Sequence, residues 1–332
     1  MNQIIKRKIG STTSFREIGL LLFIILISFI IQLRSPDFLT IENLMDLLTN
    51  TAILGILAVG MMTVLLTGGI DLSIGAVVAL GGMVSSICVS KIPNMHPIIC
   101  ILIGSAIGLA AGIINGFFVA KCKILPIIAT LGMMNVFRGF TYIVSGGKWV
   151  SAYQMPDSFK AIGTTKILGI NILILIAAAI IAIFYYFLNY TRTGRQIYAV
   201  GSNPVSAEIT GINKIRTLWL AYALMGLLSG FSGVLWVSKF ASAQGDTASG
   251  YEMNVIAACV LGGISVSGGN GKISGLLLGA LLLGILNNAL PLINVSTFWQ
   301  NFIQGMVILF AVIMNVLVKR RTDKENLKRR AA

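Results

Sequence analysis

Through most of this chain the apolar positions follow neither the two-residue alternation of a half-buried strand nor the 3.6-residue stripe of a surface helix. They run on without charge for long enough to cross a hydrocarbon core, which takes about 17–25 helical residues. Such runs lie near 18–33, 48–66, 72–90, 98–119, 124–144, 167–189, 217–237, 253–266, 273–290 and 298–318. The pattern predicts an all-α polytopic membrane protein of about ten transmembrane helices, with residues 1–332 forming one transmembrane domain.

Composition sharpens this. Hydrophobic residues make up 56%, charged residues only 11%, and 36 residues are glycine. The first run follows Lys6, Arg7, Lys8 and Arg16, as a leader's would, but Arg34, Ser35 and Pro36 come next where small residues would mark cleavage, so it reads as an uncleaved span. Cys88, Cys100, Cys122 and Cys259 are scattered singly, and His96 is the only histidine, so neither metal-ligand spacing nor a serine–histidine–aspartate triad is evident. No cofactor is expected.

Charge sets the orientation. With both termini cytoplasmic, 18 of the 25 basic residues fall on the inner side, including Lys121, Lys123, Arg192, Arg195, Lys214, Arg216 and a basic tail over 319–332. Basic residues in the outer segments are offset by Asp37, Glu42, Asp46, Asp157, Asp246 and Glu252. The net charge of +14 therefore reports topology and contact with anionic membrane lipid, not nucleic-acid binding. Three connections are long: outer ones over 145–166 and 238–252, and an inner one within 190–216.

Inside the spans, Gly104, Gly108, Gly112 and Gly116 recur four apart, as do Gly275 and Gly279, a spacing that lets helix backbones approach in lipid. An internal repeat is sharper: Thr67-Gly-Gly-Ile-Asp-Leu-Ser73 resembles Leu261-Gly-Gly-Ile-Ser-Val-Ser267. Paired glycines break helices, and broken backbone at membrane depth survives only inside protein or beside a wet cavity. Gly68, Gly69, Asp71, Ser73, Gly262 and Gly263 are therefore expected to flank a translocation pathway, the alternative being two ordinary interhelical turns. Arg138 and the amides of Asn115, Asn135, Asn287 and Asn288 are expected to add hydrogen-bonding groups, although each can instead satisfy a neighbouring helix.

In the inner connection, Asn203 can cap a helix that begins at Pro204 and ends at Gly211. A two-turn helix with such specified ends is marginal in water, which points to docking on a partner.

Taken together, Gly69-Ile-Asp-Leu-Ser73, Thr130-Leu-Gly132 with Arg138-Gly139, Gly194-Arg195 through Gly201, Asn203 and Gly211, and Gly262-Gly263 with Ser267-Gly-Gly269 resemble the ribose-type permease family of ATP-binding-cassette sugar importers. The resemblance covers nearly the whole chain. It implies an ATPase-coupling role for Gly194, Arg195, Gly201, Asn203, Pro204, Ala207, Glu208 and Gly211, in a bacterial inner-membrane protein. It also implies a second permease subunit, identical or paralogous, with two ATP-binding subunits and an extracytoplasmic sugar-binding protein. Ser145-Gly-Gly-Lys-Trp-Val150, Ile256 to Ile264 and Phe298-Trp-Gln300 look closer to rhamnose and autoinducer-2 permeases. Ser206 departs from the small apolar or acidic residue often found there. Gly269-Asn-Gly-Lys-Ile273 lacks the spacing and hydroxyl of a phosphate-cradling loop, so the chain is not expected to be an ATPase. A rival, an ion-coupled secondary transporter, would have to work with Asp71 alone among the acids near the spans.

Overall fold

The computed structural model describes residues 2–92, 94–307, 309 and 313, with side chains from residue 16 onward. Eight of its helices are long and apolar enough to cross a membrane. In chain order the helices are α1 (Asn2–Arg34), α2 (Ile41–Leu66), α3 (Ile74–Lys91), α4 (Pro97–Gly116), α5 (Pro126–Ser145), α6 (Asp157–Thr164), α7 (Ile172–Tyr190), α8 (Arg192–Ser202), α9 (Pro204–Ile209), α10 (Lys214–Phe240), α11 (Tyr251–Leu261) and α12 (Ile273–Leu292). Residues 297–307 form a further helix, and the later part of the expected span 298–318 lies largely outside the described residues.

Local chemistry fixes the ends. Pro97 and Pro126 occupy first helical positions, where a missing N–H costs nothing. The Thr40, Asn171, Thr191, Asn203 and Asn213 side chains each accept an amide of the first turn that would otherwise lack a partner. His96 does the same, its Nδ1 accepting from the Ile98 amide at 3.3 Å.

Two expectations are corrected. The span expected over 253–266 is α11, only 11 residues and about 16 Å long, which cannot cross a hydrocarbon core of about 30 Å. It begins just after left-handed backbone at Ala248 and Gly250, and it stops at the Gly262-Gly263 break. The span expected from 167 begins at 172, because Lys166–Ile167 and Ile170–Asn171 pair as a two-stranded hairpin.

α2 is buried on every side from Ala52 to Leu66, which is why its sequence is apolar all round. Beside it, α10 packs on α3 and α4 along a glycine seam. A Cβ at Gly108 would strike the Gly226 carbonyl, one at Gly112 the Tyr222 carbonyl, and one at Gly230 the Gly104 carbonyl. The regular glycine spacing of α4 is thus read out as backbone-on-backbone contact with α10, where dispersion replaces the hydrophobic drive that lipid does not supply.

Candidate functional site

The two Gly-Gly repeats end their helices in the same way, one residue out of register. After α2, Gly68 is left-handed (φ +82°); its amide donates to the Leu65 carbonyl, and the Gly69 amide donates to that of Val64. After α11 the left-handed residue is Gly263 (φ +93°); its amide donates to Val260, and the Ile264 amide to Cys259. Both are closed helix ends of the type that glycine favours. Beyond each, the side chain at the fifth position of the repeat accepts the amide at the seventh: Asp71 from Ser73 at 2.8 Å, and Ser265 from Ser267 at 3.3 Å.

The breaks meet. The Gly269 amide, just past the second repeat, donates to the Leu66 carbonyl at the end of α2 (2.9 Å). Gly201, on α8, lies against both, for a Cβ there would overlap the Leu66 carbonyl and stand 2.6 Å from the Gly269 nitrogen. Ser202 Oγ donates to the Gly269 carbonyl at 3.3 Å and the Tyr198 hydroxyl to the Gly271 carbonyl at 2.9 Å. Burial of the Tyr198 phenol pushes its pKa up to about 12, which keeps it a donor at any physiological pH.

Within the first break, the buried Asp71 carboxylate accepts from the Ser73 hydroxyl at 2.7 Å. Asn115 Nδ2, from α4, donates to Ser73 Oγ at 2.8 Å and, more weakly, to both Asp71 oxygens at 3.4–3.5 Å. Asn115 Oδ1 is buried without a partner among the described residues. From α5, Thr130 Oγ1 accepts the Leu72 amide at 3.1 Å, and from α10 the Tyr222 hydroxyl donates to the Ile70 carbonyl at 3.3 Å. The irregular segment is thereby tied to three helices.

The α7–α10 connection holds two helices where the sequence pointed to one. α9 is the expected one: Asn203 Oδ1 accepts the Ser206 amide at 3.0 Å, and Gly211 is left-handed (φ +82°), with its amide on the Glu208 carbonyl and that of Ile212 on Ala207. α8 precedes it, and Gly194 lets its first turn sit on the last turn of α7, against the Phe187 carbonyl and Leu188. Arg195 is exposed and donates to the Tyr190 carbonyl at 3.2 Å. α9 buries Ala207 and turns Val205 and Ile209 outward, 67% and 81% exposed. A cavity of about 590 Å³ separates it from the first break, lined by Thr67, Gly68, Gly69, Lys123, Pro204 and Glu208 among others.

Gly68, Gly69, Asp71, Ser73 and Asn115 are thus gathered with Gly201 and the second repeat. The other expected residues lie elsewhere. Gly262 packs on α12, facing the Gly275 carbonyl at 2.5 Å. Arg138 Nη1 donates to the carbonyls of Gly245 and Thr247 at 2.9 and 2.8 Å, pinning the loop before α11. Asn288 and Asn43 exchange hydrogen bonds, Asn287 pairs with Gln304, and the exposed Asn135 bonds only its own turn, at the Leu131 carbonyl. Sequence reasoning missed Tyr198, Ser202 and Tyr222, whose polar tips within apolar or small-residue runs were the available signal.

Comparison with known proteins supplies the context for this junction. The family model described as "Branched-chain amino acid transport system / permease component" matches residues 43–312. The chain is 39% identical over 299 residues to the ribose import permease protein RbsC of Escherichia coli K12, covering 90% of this chain and 92% of that one. It is 38% identical over 301 residues to RbsC of Bacillus subtilis, with shares of 90% and 92%. It is 35% identical over 311 residues to the L-arabinose ABC transporter permease protein AraH of Azospirillum brasilense, with shares of 93% and 90%. No solved structure matches. The chain therefore belongs to this family of transport-system permease components, in the branch that holds the ribose and arabinose import permeases.

Proposed function

We propose that this chain is the membrane-spanning subunit of an ATP-binding-cassette importer that carries a monosaccharide or sugar-like molecule inward across a bacterial inner membrane. Family membership supports an importer permease and not the ion-coupled rival. The substrate class rests on the ribose and arabinose relatives, and the three stretches noted above extend it to rhamnose and autoinducer-2. In this reading two copies of the chain, or this chain and a paralogue, pair with two ATPase subunits inside and a sugar-binding protein outside.

The observation that carries the reading is the α8–α9 connection. α9 presents an apolar pair, Val205 and Ile209, one turn apart on a polar loop, a surface fit for a partner's groove. α8, continuous with it, is hydrogen-bonded to the connection beyond the second break and packs at Gly201 against the end of α2 at the first. A push on α9 by an ATPase thus reaches the irregular backbone that lines the pathway, and ATP binding shifts the balance between outward-open and inward-open states. A neutral, polyhydroxylated solute needs dispersed hydrogen-bonding groups in place of a counter-ion, and Asp71, Ser73, Asn115 and the freed carbonyls of both breaks are of that kind.

A single experiment tests orientation and docking together. In a variant whose one reactive thiol is Asn203→Cys, an impermeant maleimide should react in inside-out vesicles and not in intact cells, and added ATPase subunit should protect the thiol. Labelling from outside intact cells would overturn the orientation, and labelling unchanged by the ATPase would overturn the docking role.

A further inference from the structure

The second break has one more neighbour, α1. Arg16 Nη2 donates to the Val260 carbonyl, in the last turn of α11, at 2.8 Å. Its guanidinium also lies on Gly263, where a built Cβ would stand 3.1–3.3 Å from Cζ, Nη1 and Nε. The next residue reaches the other side of the break: Glu17 Oε1 accepts the Ser274 hydroxyl, in the first turn of α12, at 2.9 Å. Two adjacent residues of opposite charge therefore span the 262–272 connection. The cation meets a helix C-terminus and the anion a helix N-terminus, each the sign that the helix dipole favours.

The arrangement matters because α11 is short. A helix that crosses the membrane leaves its terminal carbonyls to water, whereas α11 ends at a break packed against α12 and α1, and needs partners from the protein. We propose that Arg16 and Glu17 are positioning residues that clamp the second break and fix the angle between α11 and α12 during transport. They act on the break at Val260, Gly263 and Ser274, whereas Gly201 and Ser202 bear on Gly269. The role in transport rests on the importer reading, whereas the clamp itself does not.

The test uses the complete importer reconstituted in vesicles. Arg16→Gln with Glu17→Gln should lower solute uptake about tenfold, the scale of one charge-assisted hydrogen bond, with ATPase co-purification unchanged. The reversed pair, Arg16→Glu with Glu17→Arg, should fall further, because each charge then opposes its helix end, and Arg16→Lys alone should retain most of the uptake. Wild-type uptake in the neutral pair, or equal uptake in the neutral and reversed pairs, overturns the proposal. Should either pair fail to reach the membrane, Glu17→Cys with Ser274→Cys decides. A short bifunctional thiol reagent should join the two at rest and more slowly during ATP turnover, and no joining, or an unchanged rate, overturns the proposal. Joining at rest in a chain that moves no sugar would uphold the clamp and count against the importer reading.

Discussion

Gly201→Ala adds one methyl group where α8 crosses both breaks. The new carbon would overlap the Leu66 carbonyl oxygen and stand 2.6 Å from the Gly269 nitrogen and 2.9 Å from the Leu66 carbonyl carbon. All three are backbone atoms, so no side chain can swing aside. To reach ordinary contact α8 must withdraw by close to 1 Å or more. That withdrawal stretches the Ser202–Gly269 hydrogen bond, already 3.3 Å, and strains the Gly269–Leu66 bond. One or two lost bonds at about 0.5–1.5 kcal/mol each, with overpacking at about 1–3 kcal/mol, give a penalty of roughly 1.5–6 kcal/mol on the docked arrangement. Because the clash falls on the last residue of α2 and on the connection beyond α11, at the edge of the core, the fold should persist, and uptake should fall at least tenfold while the protein remains in the membrane. Gly132→Ala, on an open face of α5 with nothing within 4 Å, is the control. The assay pairs solute uptake in reconstituted vesicles with the Tm of the purified permease. A Gly201→Ala protein with wild-type uptake and Tm would show that α8 does not bear on the breaks.

Gly211→Val should cost about 1–2 kcal/mol through the left-handed backbone alone, since nothing lies within 4 Å of the site, and should lower ATPase pull-down and uptake while membrane levels hold. Tyr198→Phe removes one donor to the Gly271 carbonyl and should lower Tm by the equivalent of about 1 kcal/mol. The wild-type phenol, raised to about 12 by burial, favours the protonated folded state, so its contribution is constant below the ordinary tyrosine value and is lost between about pH 10 and 12. The Phe variant should lack that alkaline loss, which a Tm series against pH reads directly.

The spans were legible because a helix in lipid must be apolar for its whole length, and α9 was legible because Asn203-Pro204 and Gly211 are chemical punctuation. α8 was not: its buried Ile197 and Val200 are too few to raise a hydropathy window, and its contacts are to distant backbone. Hydropathy carried the eighth span past Leu261 because Gly262, Gly263 and Ile264 are as compatible with lipid as a helix is, whereas a left-handed φ leaves no trace in it. The Gly-Gly repeat was read correctly as a pair of breaks, but its one-residue offset depends on backbone hydrogen bonds that the letters do not encode. Arg138 was visible as a charge in an apolar run, while its acceptors lie 107 and 109 residues away along the chain.

The glycine seam has a mechanical consequence. Where α3, α4 and α10 touch carbonyl to Cα, as at Gly108, Gly112, Gly226, Gly230 and Gly233, small relative sliding would bring backbone atoms into collision. The three helices therefore behave as one stiff plate. α5, which reaches its neighbours through the side chains of Thr130 and Arg138, belongs to the compliant rim. In the proposed coupling, a stroke delivered at α8 would enter between Leu66 and Gly269, where the two breaks are hydrogen-bonded to each other. The chain would then work as a lever, with its rigidity in the seam and its bending at the two glycine pairs.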